Sequence, residues 1–191
     1  MPGLFPLVPF AGLRPLALAV ALLATAQAVP AQPPAPATDI FAEEVTLNGR
    51  PIVFMTGKAT WDNAFPALTE KFKAIAAVLE SQKLKSAGPW ITIYTAVNDK
   101  GFEFQAAAPL ARAPVNLPRG ELTAGETPVG KAMKFVYRGS YDAMDALYEA
   151  ITHYLDEKKI ERQGLFFEEY ITDPLSTPED KLEVHVFVLV K

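Results

Sequence analysis

One order of landmarks occurs twice in this chain, at a spacing of about 80 residues. Trp61 and Asp62 correspond to Tyr141 and Asp142, Gly88 to Gly164, Tyr94 to Tyr170, and Glu103 to Glu183. Isolated matches arise by chance, but their preserved order points to a duplicated unit. A unit of that size buries too little surface to stand alone. The copies must therefore fold against each other, and a site between them belongs to both.

In the second copy, Lys131 to Gly139 reads as a strand closed by a glycine. Ser140-Tyr141-Asp142 then opens a helix, with Ser140 at the N-cap. Met144, Leu147, Tyr148, Ile151, Tyr154 and Leu155 follow at three- and four-residue spacing, an amphipathic pattern. After Gly164 come the strand Leu165 to Thr172, a turn through Asp173-Pro174 and Thr177-Pro178, and a closing strand. The first copy follows suit. Arg50 to Gly57 is its strand, and Thr60-Trp61-Asp62 opens a helix whose stripe is Ala64, Phe65, Leu68, Phe72, Ile75 and Leu79. Pro66 is tolerable because it lies in the first turn. Gly88 to Tyr94 and Phe102 to Ala108 are the remaining strands.

Each copy thus reads strand–helix–strand–strand, with a further strand from the segment before it, Glu43 to Leu47 and Glu121 to Thr123. The predicted fold class is α+β: duplicated βαββ units, about 43–110 and 121–191, forming a joined antiparallel sheet. Both helices are expected on one side and a ligand groove on the other.

Strand parity selects the groove residues. In the closing strand Leu182, Val184, Val186, Val188 and Val190 share an aliphatic face, so Glu183, His185, Phe187 and Leu189 share the other. Ile91 and Ile93 are the natural core residues of their strand, which leaves Trp90, Thr92 and Tyr94 on the opposite face. Across the repeat, Phe166, Glu168 and Tyr170 take the corresponding face. With Glu103 and Gln105 these residues predict an aromatic-walled, acidic concavity suited to cations. The same parity puts Glu169 on the core face with Phe167 and Ile171, which requires either reach to an edge or a bulge. The other acids read as solvated helix faces. His185 reads as a hydrogen-bonded sheet residue, and no metal-ligand spacing or cofactor motif is present.

Net charge is −4 with no Lys/Arg cluster, which argues against a nucleic-acid surface. The absence of cysteine excludes disulfides, thiolate zinc sites and thiol catalysis. At the N-terminus, Arg14, the apolar run Leu16 to Thr25 and the small-residue site Ala26-Gln27-Ala28 predict a signal peptide over 1–28. Such a run falls short of the about 20 apolar residues a membrane span takes. An uncleaved anchor is the alternative reading. Residues 29–38, VPAQPPAPAT, should be a semi-rigid tether before a domain over 39–191. The expected location is periplasmic.

Gly139-Ser140-Tyr141-Asp142, the helix after it, Gly164 to Tyr170, Asp173-Pro174 and the closing Leu182-Glu183-Val184 resemble the GyrI-like small-molecule-binding domain. The same domain is the effector-binding module of some AraC- and MerR-type regulators. The resemblance covers about Glu43 to Lys191. It implies a pocket between the halves and an acid on the closing strand facing it, which at the matching position is Glu183. One departure is Phe187, where the family usually has proline. Members bind amphipathic effectors for transcription factors, bind DNA gyrase, or hydrolyse reactive cyclopropane-containing compounds. A leader argues against the regulator and gyrase roles, whose partners are cytoplasmic.

Three functions follow as expectations. The first is an exported protein that captures an amphipathic or cationic small molecule through Glu183, Tyr170, Phe166, Glu168, Trp90, Tyr94, His185, Phe187 and Glu103. The second is a hydrolase of electrophiles with Glu183 as acid or base and Tyr170 or Tyr94 holding the leaving oxygen. The third is an envelope protein-interaction module whose groove is idle because Trp90, Phe166 and Phe187 fill it. No cofactor is expected for any of them.

Overall fold

The computed structural model describes residues 41–114 and 122–191. The predicted leader, tether and Glu121 lie outside the described residues. The elements run β1 (Ala42–Leu47), β2 (Pro51–Thr60), α1 (Ala64–Ser81), β3 (Trp90–Asn98), β4 (Gly101–Pro109), β5 (Thr123–Glu126), β6 (Gly130–Gly139), α2 (Met144–Glu157), β7 (Arg162–Tyr170) and β8 (Leu182–Val190). The strand expected over Glu121 to Thr123 is thus observed as Thr123–Glu126.

Among the described residues, eight strands form one open antiparallel sheet in the order β1-β6-β8-β7-β3-β4-β2-β5. The fold is α+β and duplicated as expected. The halves meet where β3 pairs with β7, and each leading strand crosses over: β1 edges β6 of the second half and β5 edges β2 of the first. This exchange ties the halves together by backbone hydrogen bonds at three places.

Both helices lie on one face of the sheet. Leu68, Phe72 and Ile75 of α1 and Leu147, Ile151 and Leu155 of α2 share a core with Val53, Phe104, Phe135, Val184, Val186 and Val188. Burying a side chain of this size stabilises the fold by about 1.5–3 kcal/mol. The opposite face has a smaller cluster of Ile52, Ile91, Ile93, Ala107, Phe167, Phe187 and Leu189. The central strands are therefore apolar on both faces, which corrects the assignment of Ile91 and Ile93 to the helix side.

Each helix starts through a 3₁₀ turn, at Trp61–Asn63 and Tyr141–Ala143. Ser140 occupies the extended N-cap backbone, but its hydroxyl makes no capping bond. Its carbonyl oxygen instead accepts from the Tyr137 hydroxyl and from the Ala143 N–H. The helices stop alike as well. Lys83 (φ 54°) and Lys159 (φ 56°) adopt the left-handed conformation. The N–H groups of Leu84 and Ile160 then reach back to the carbonyls of Leu79 and Leu155 at 2.9 Å. This is a Schellman stop with lysine where glycine is usual, so the sequence carries no glycine to mark it.

Candidate functional site

The β3–β7 pairing sets the site. Trp90 lies opposite Tyr170, Thr92 opposite Glu168, and Tyr94 opposite Phe166. Directly opposed residues share a face, so the parity grouping of these six holds. That face is covered by the helices: Phe72 of α1 packs on Trp90 (ring centroids 5.0 Å) and Tyr170 (5.5 Å). The sequence reading placed these residues on the face opposite the helices, and the pairing and ring contacts put them on the helix side instead. The aromatic residues and Glu168 lie beneath and between the helices, not on the open side.

Register also separates the predicted set. On β8, Val184 pairs with Tyr170 and Val186 with Glu168, while His185 pairs with Glu169 and Phe187 with Phe167. Glu183, His185 and Phe187 consequently point away from Glu168, and Phe187 stacks on Phe167 at 4.7 Å. The mutual filling of Trp90, Phe166 and Phe187 does not occur. Glu103 and Gln105 alternate with the helix-facing Phe102 and Phe104, so they too face away.

The repeated acid has a repeated explanation. Glu183 is held by Arg138 through two bonds of 3.0 Å, and Glu103 pairs with Lys58. Lys58 and Arg138 sit at matching positions of the strand next door. Both halves thus build the same cross-strand ion pair. His185 Nε2 lies 3.5 Å from Glu183 Oε1. Burial and the Lys134 charge lower the pKa of His185, against the pull of Glu183 and Glu169. Glu169 has no bulge beside it. Its charge is met by Arg50 from the first half, and the β7 irregularity lies between Arg162 and Phe166.

Glu168 is different in kind. Its residue is 0% exposed, and among the described residues no Lys, Arg or His nitrogen forms a salt bridge with it. Oε1 accepts from the Tyr148 hydroxyl of α2, and Oε2 accepts from the Tyr170 hydroxyl at 2.7 Å. Tyr94 and Tyr141 hydroxyls stand 3.5 Å apart beside them. Burial raises the Glu168 pKa, while the hydrogen bonds from Tyr148, Tyr170 and Tyr94 work in the opposite direction. Tyr94, Tyr148 and Tyr170 are raised well above the ordinary phenol value by burial first and by the Glu168 charge second. These phenols stay protonated and serve as donors to the acid.

Around this centre the rings are continuous. Tyr94 stacks on Phe166 at 4.4 Å, Tyr148 meets Phe166 edge-on at 5.7 Å, and Phe65 of α1 contacts Tyr141 at 4.9 Å. Trp90 joins the ring wall to a surface hollow of about 430 Å³ at the end of α1, lined also by Leu79, Lys83, Leu84 and Ser86. Four of the six tyrosines in the chain converge on one carboxylate. Sequence reasoning missed Tyr141 and Tyr148. It read the first as a helix opener and the second as part of an apolar stripe; Tyr141 lies in the 3₁₀ turn before α2 and Tyr148 in α2 itself.

A buried carboxylate without a cation is costly. Electron-rich ring faces and an uncompensated negative charge are the two groups that hold an organic cation in a low-dielectric site. Among the described residues no cluster of three or more His, Cys, Asp or Glu is arranged to hold a metal.

Residues 42–191 match the family of GyrI-like small molecule binding domains. No curated protein matches the chain in sequence. Among solved structures, the EcmrR C-terminal domain superposes with a TM-score of 0.69 at 12% identity, covering 81% of this chain and 99% of that one. SAV2435 bound to tetraphenylphosphonium gives a TM-score of 0.55 at 11% identity, covering 79% and 94%. A hydrolase from Listeria innocua gives 0.57 at 8% identity, covering 78% and 91%. At these identities the likenesses concern the fold.

Proposed function

Because this chain belongs to the GyrI-like small-molecule-binding family, we propose that it captures an amphipathic organic cation between α1 and α2, with Glu168 as the charge partner. The observation that carries the reading is the buried Glu168 within its tyrosine ring, with no salt-bridge partner among the described residues. Tyr94, Tyr148, Tyr170, Phe166 and Trp90 supply the walls. The rings touch each other, so a ligand must part them. One seam between the halves is the Phe65–Tyr141 and Tyr94–Tyr141 contact, made by side chains. Trp90, at the edge of the outer hollow, would report the change. The test is a titration with tetraphenylphosphonium, the ligand of SAV2435, followed by tryptophan fluorescence and calorimetry. Saturable binding supports the reading; no binding of this or any other lipophilic cation ends it.

A second reading keeps the same centre. A carboxyl with a raised pKa beside protonated phenols can also donate a proton, as a hydrolase acting on electrophiles would require. Glu183, paired with Arg138 on the far face, is a poor candidate for that role. The Glu168→Gln variant separates the readings: lost affinity favours capture, whereas retained affinity with lost turnover favours hydrolysis.

We also propose that the protein acts outside the cytoplasm. Arg14, the apolar run Leu16 to Thr25 and Ala26-Gln27-Ala28 support this. Among the described residues no helix is long and apolar enough to cross a membrane. N-terminal sequencing of protein recovered from the cell envelope would detect cleavage after Ala28; recovery of uncleaved protein from the cytoplasm would refute export.

A further inference from the structure

The two halves are related by a pseudo-two-fold axis whose position follows from the pairing. Repeat partners around the seam are offset by the same number of residues, Gly88 with Gly164 and Tyr94 with Tyr170. That offset takes Thr92 to Glu168, and these two residues are also each other's cross-strand partners. The axis therefore passes through the Thr92–Glu168 pair. The two halves differ at these equivalent positions: one supplies a carboxylate and the other a hydroxyl.

That hydroxyl is unusual. Thr92 is 0% exposed, and its Oγ1 has no hydrogen-bond partner among the described residues. On its strand it stands between Trp90 and Tyr94, and across the strands it faces Glu168 on one side and Ala106 on the other. Directly opposed Cβ atoms lie about 5 Å apart, yet the Glu168 oxygens are directed to Tyr148 and Tyr170. Buried hydroxyls are nearly always paired, and an orphan calls for a reason. A methyl group in the same place would fill the same space with no unsatisfied atom.

We infer that Thr92 is a specificity-determining residue that accepts an N–H from the bound cation, so that the site selects a protonated primary or secondary amine over a quaternary ammonium. The inference rests on the cation-binding reading above. An ammonium group on the axis gives one N–H to Glu168 and a second to Thr92 Oγ1, while its apolar body lies against the surrounding rings. A quaternary cation keeps the attraction to Glu168 but leaves Thr92 unpaired. A site built to bond a donor rejects the analogue that lacks it, because the site's own buried polar group then goes unsatisfied.

The test compares phenethylamine with phenethyltrimethylammonium by calorimetry, on the wild-type protein and on Thr92→Val and Thr92→Ser. In the wild type the amine binds more tightly. Thr92→Val weakens the amine by about tenfold and leaves the trimethylammonium probe within about twofold, erasing the selectivity; Thr92→Ser restores it. Equal weakening of both probes by valine would make Thr92 a structural residue and overturn the inference while the cation site stands. So would a wild type that binds both probes equally. A wild type that binds neither probe overturns the inference, and the tetraphenylphosphonium titration then decides whether the cation-binding reading falls with it.

Discussion

Replacing Glu168 with glutamine removes one charge and almost no volume, and turns one of its two acceptor oxygens into an N–H donor that the facing phenol oxygen must accept. The carboxylate is wholly buried with phenol donors, and among the described residues it has no salt-bridge partner. Its pKa is raised, which means folding favours the protonated form. The contribution is fully present below the unfolded carboxyl pKa of about 4.3 and declines at about 1.4 kcal/mol per pH unit as pH rises toward the folded value. Glutamine carries no such dependence. The variant should therefore melt at a higher temperature than the wild type near neutrality, and the gap should shrink as pH falls toward 4. Ligand binding shows the reverse preference. Unit charges about 5.5 Å apart at an effective dielectric of about 20 attract by about 3 kcal/mol. Loss of that attraction weakens tetraphenylphosphonium on the order of a hundredfold. Because this probe has no titrating proton, wild-type affinity should climb with pH through the folded pKa of Glu168 and then level off. The assays are thermal denaturation and calorimetric titration of both proteins across pH. A variant that matches the wild type in melting and in affinity at every pH would refute the reasoning, because Glu168 would then carry no buried charge.

Glu183→Gln should leave tetraphenylphosphonium affinity within about twofold, because its charge is on the far face and paired with Arg138; stability should change by less than about 1 kcal/mol, as for a partly exposed pair. A large loss of binding would return Glu183 to the site. The His185 ring should titrate below the ordinary histidine value, read from its proton shifts; stability from its neutral form is present above pH about 6.5 and falls as pH drops through the folded pKa. A midpoint at or above the ordinary value would contradict the burial and Lys134 effects. Lys83→Gly and Lys159→Gly should each stabilise the protein by up to about 1 kcal/mol in chemical denaturation, because glycine takes the left-handed stop without strain. Destabilisation would mean the lysine side chains contribute more than their backbone strain costs.

The repeat, the element order and the α+β class were legible because each is written locally. Period-2 runs mark strands, three- and four-residue spacing marks helices, and the same order recurs. Parity within each strand was legible too: Trp90, Thr92 and Tyr94 share a face, as do Phe166, Glu168 and Tyr170. Parity stops at the edge of a strand. Joining β8 to β7 needs their register, and a shift of one residue exchanges every side chain between faces. Both faces of β8 were plausible neighbours for Glu168, since Val184 and Val186 are as apolar as Phe187. The structure pairs Val186 with Glu168 and carries Glu183 to the other side. Which face the helices cover was equally open, because the central strands bury apolar side chains on both. The repetition of Glu103 and Glu183 drew notice to an acid that both halves use for an ion pair. The acid that stands alone, Glu168, has threonine as its counterpart and so leaves no repeat signal. The sequence by itself determined the two units, their elements and the alternation along each strand, all of which depend on neighbours in the chain. Only the tertiary structure decided that the units meet at Thr92 and Glu168 and that Tyr141 and Tyr148 close over that pair, because those contacts join residues whose spacing in the chain carries no trace of their meeting.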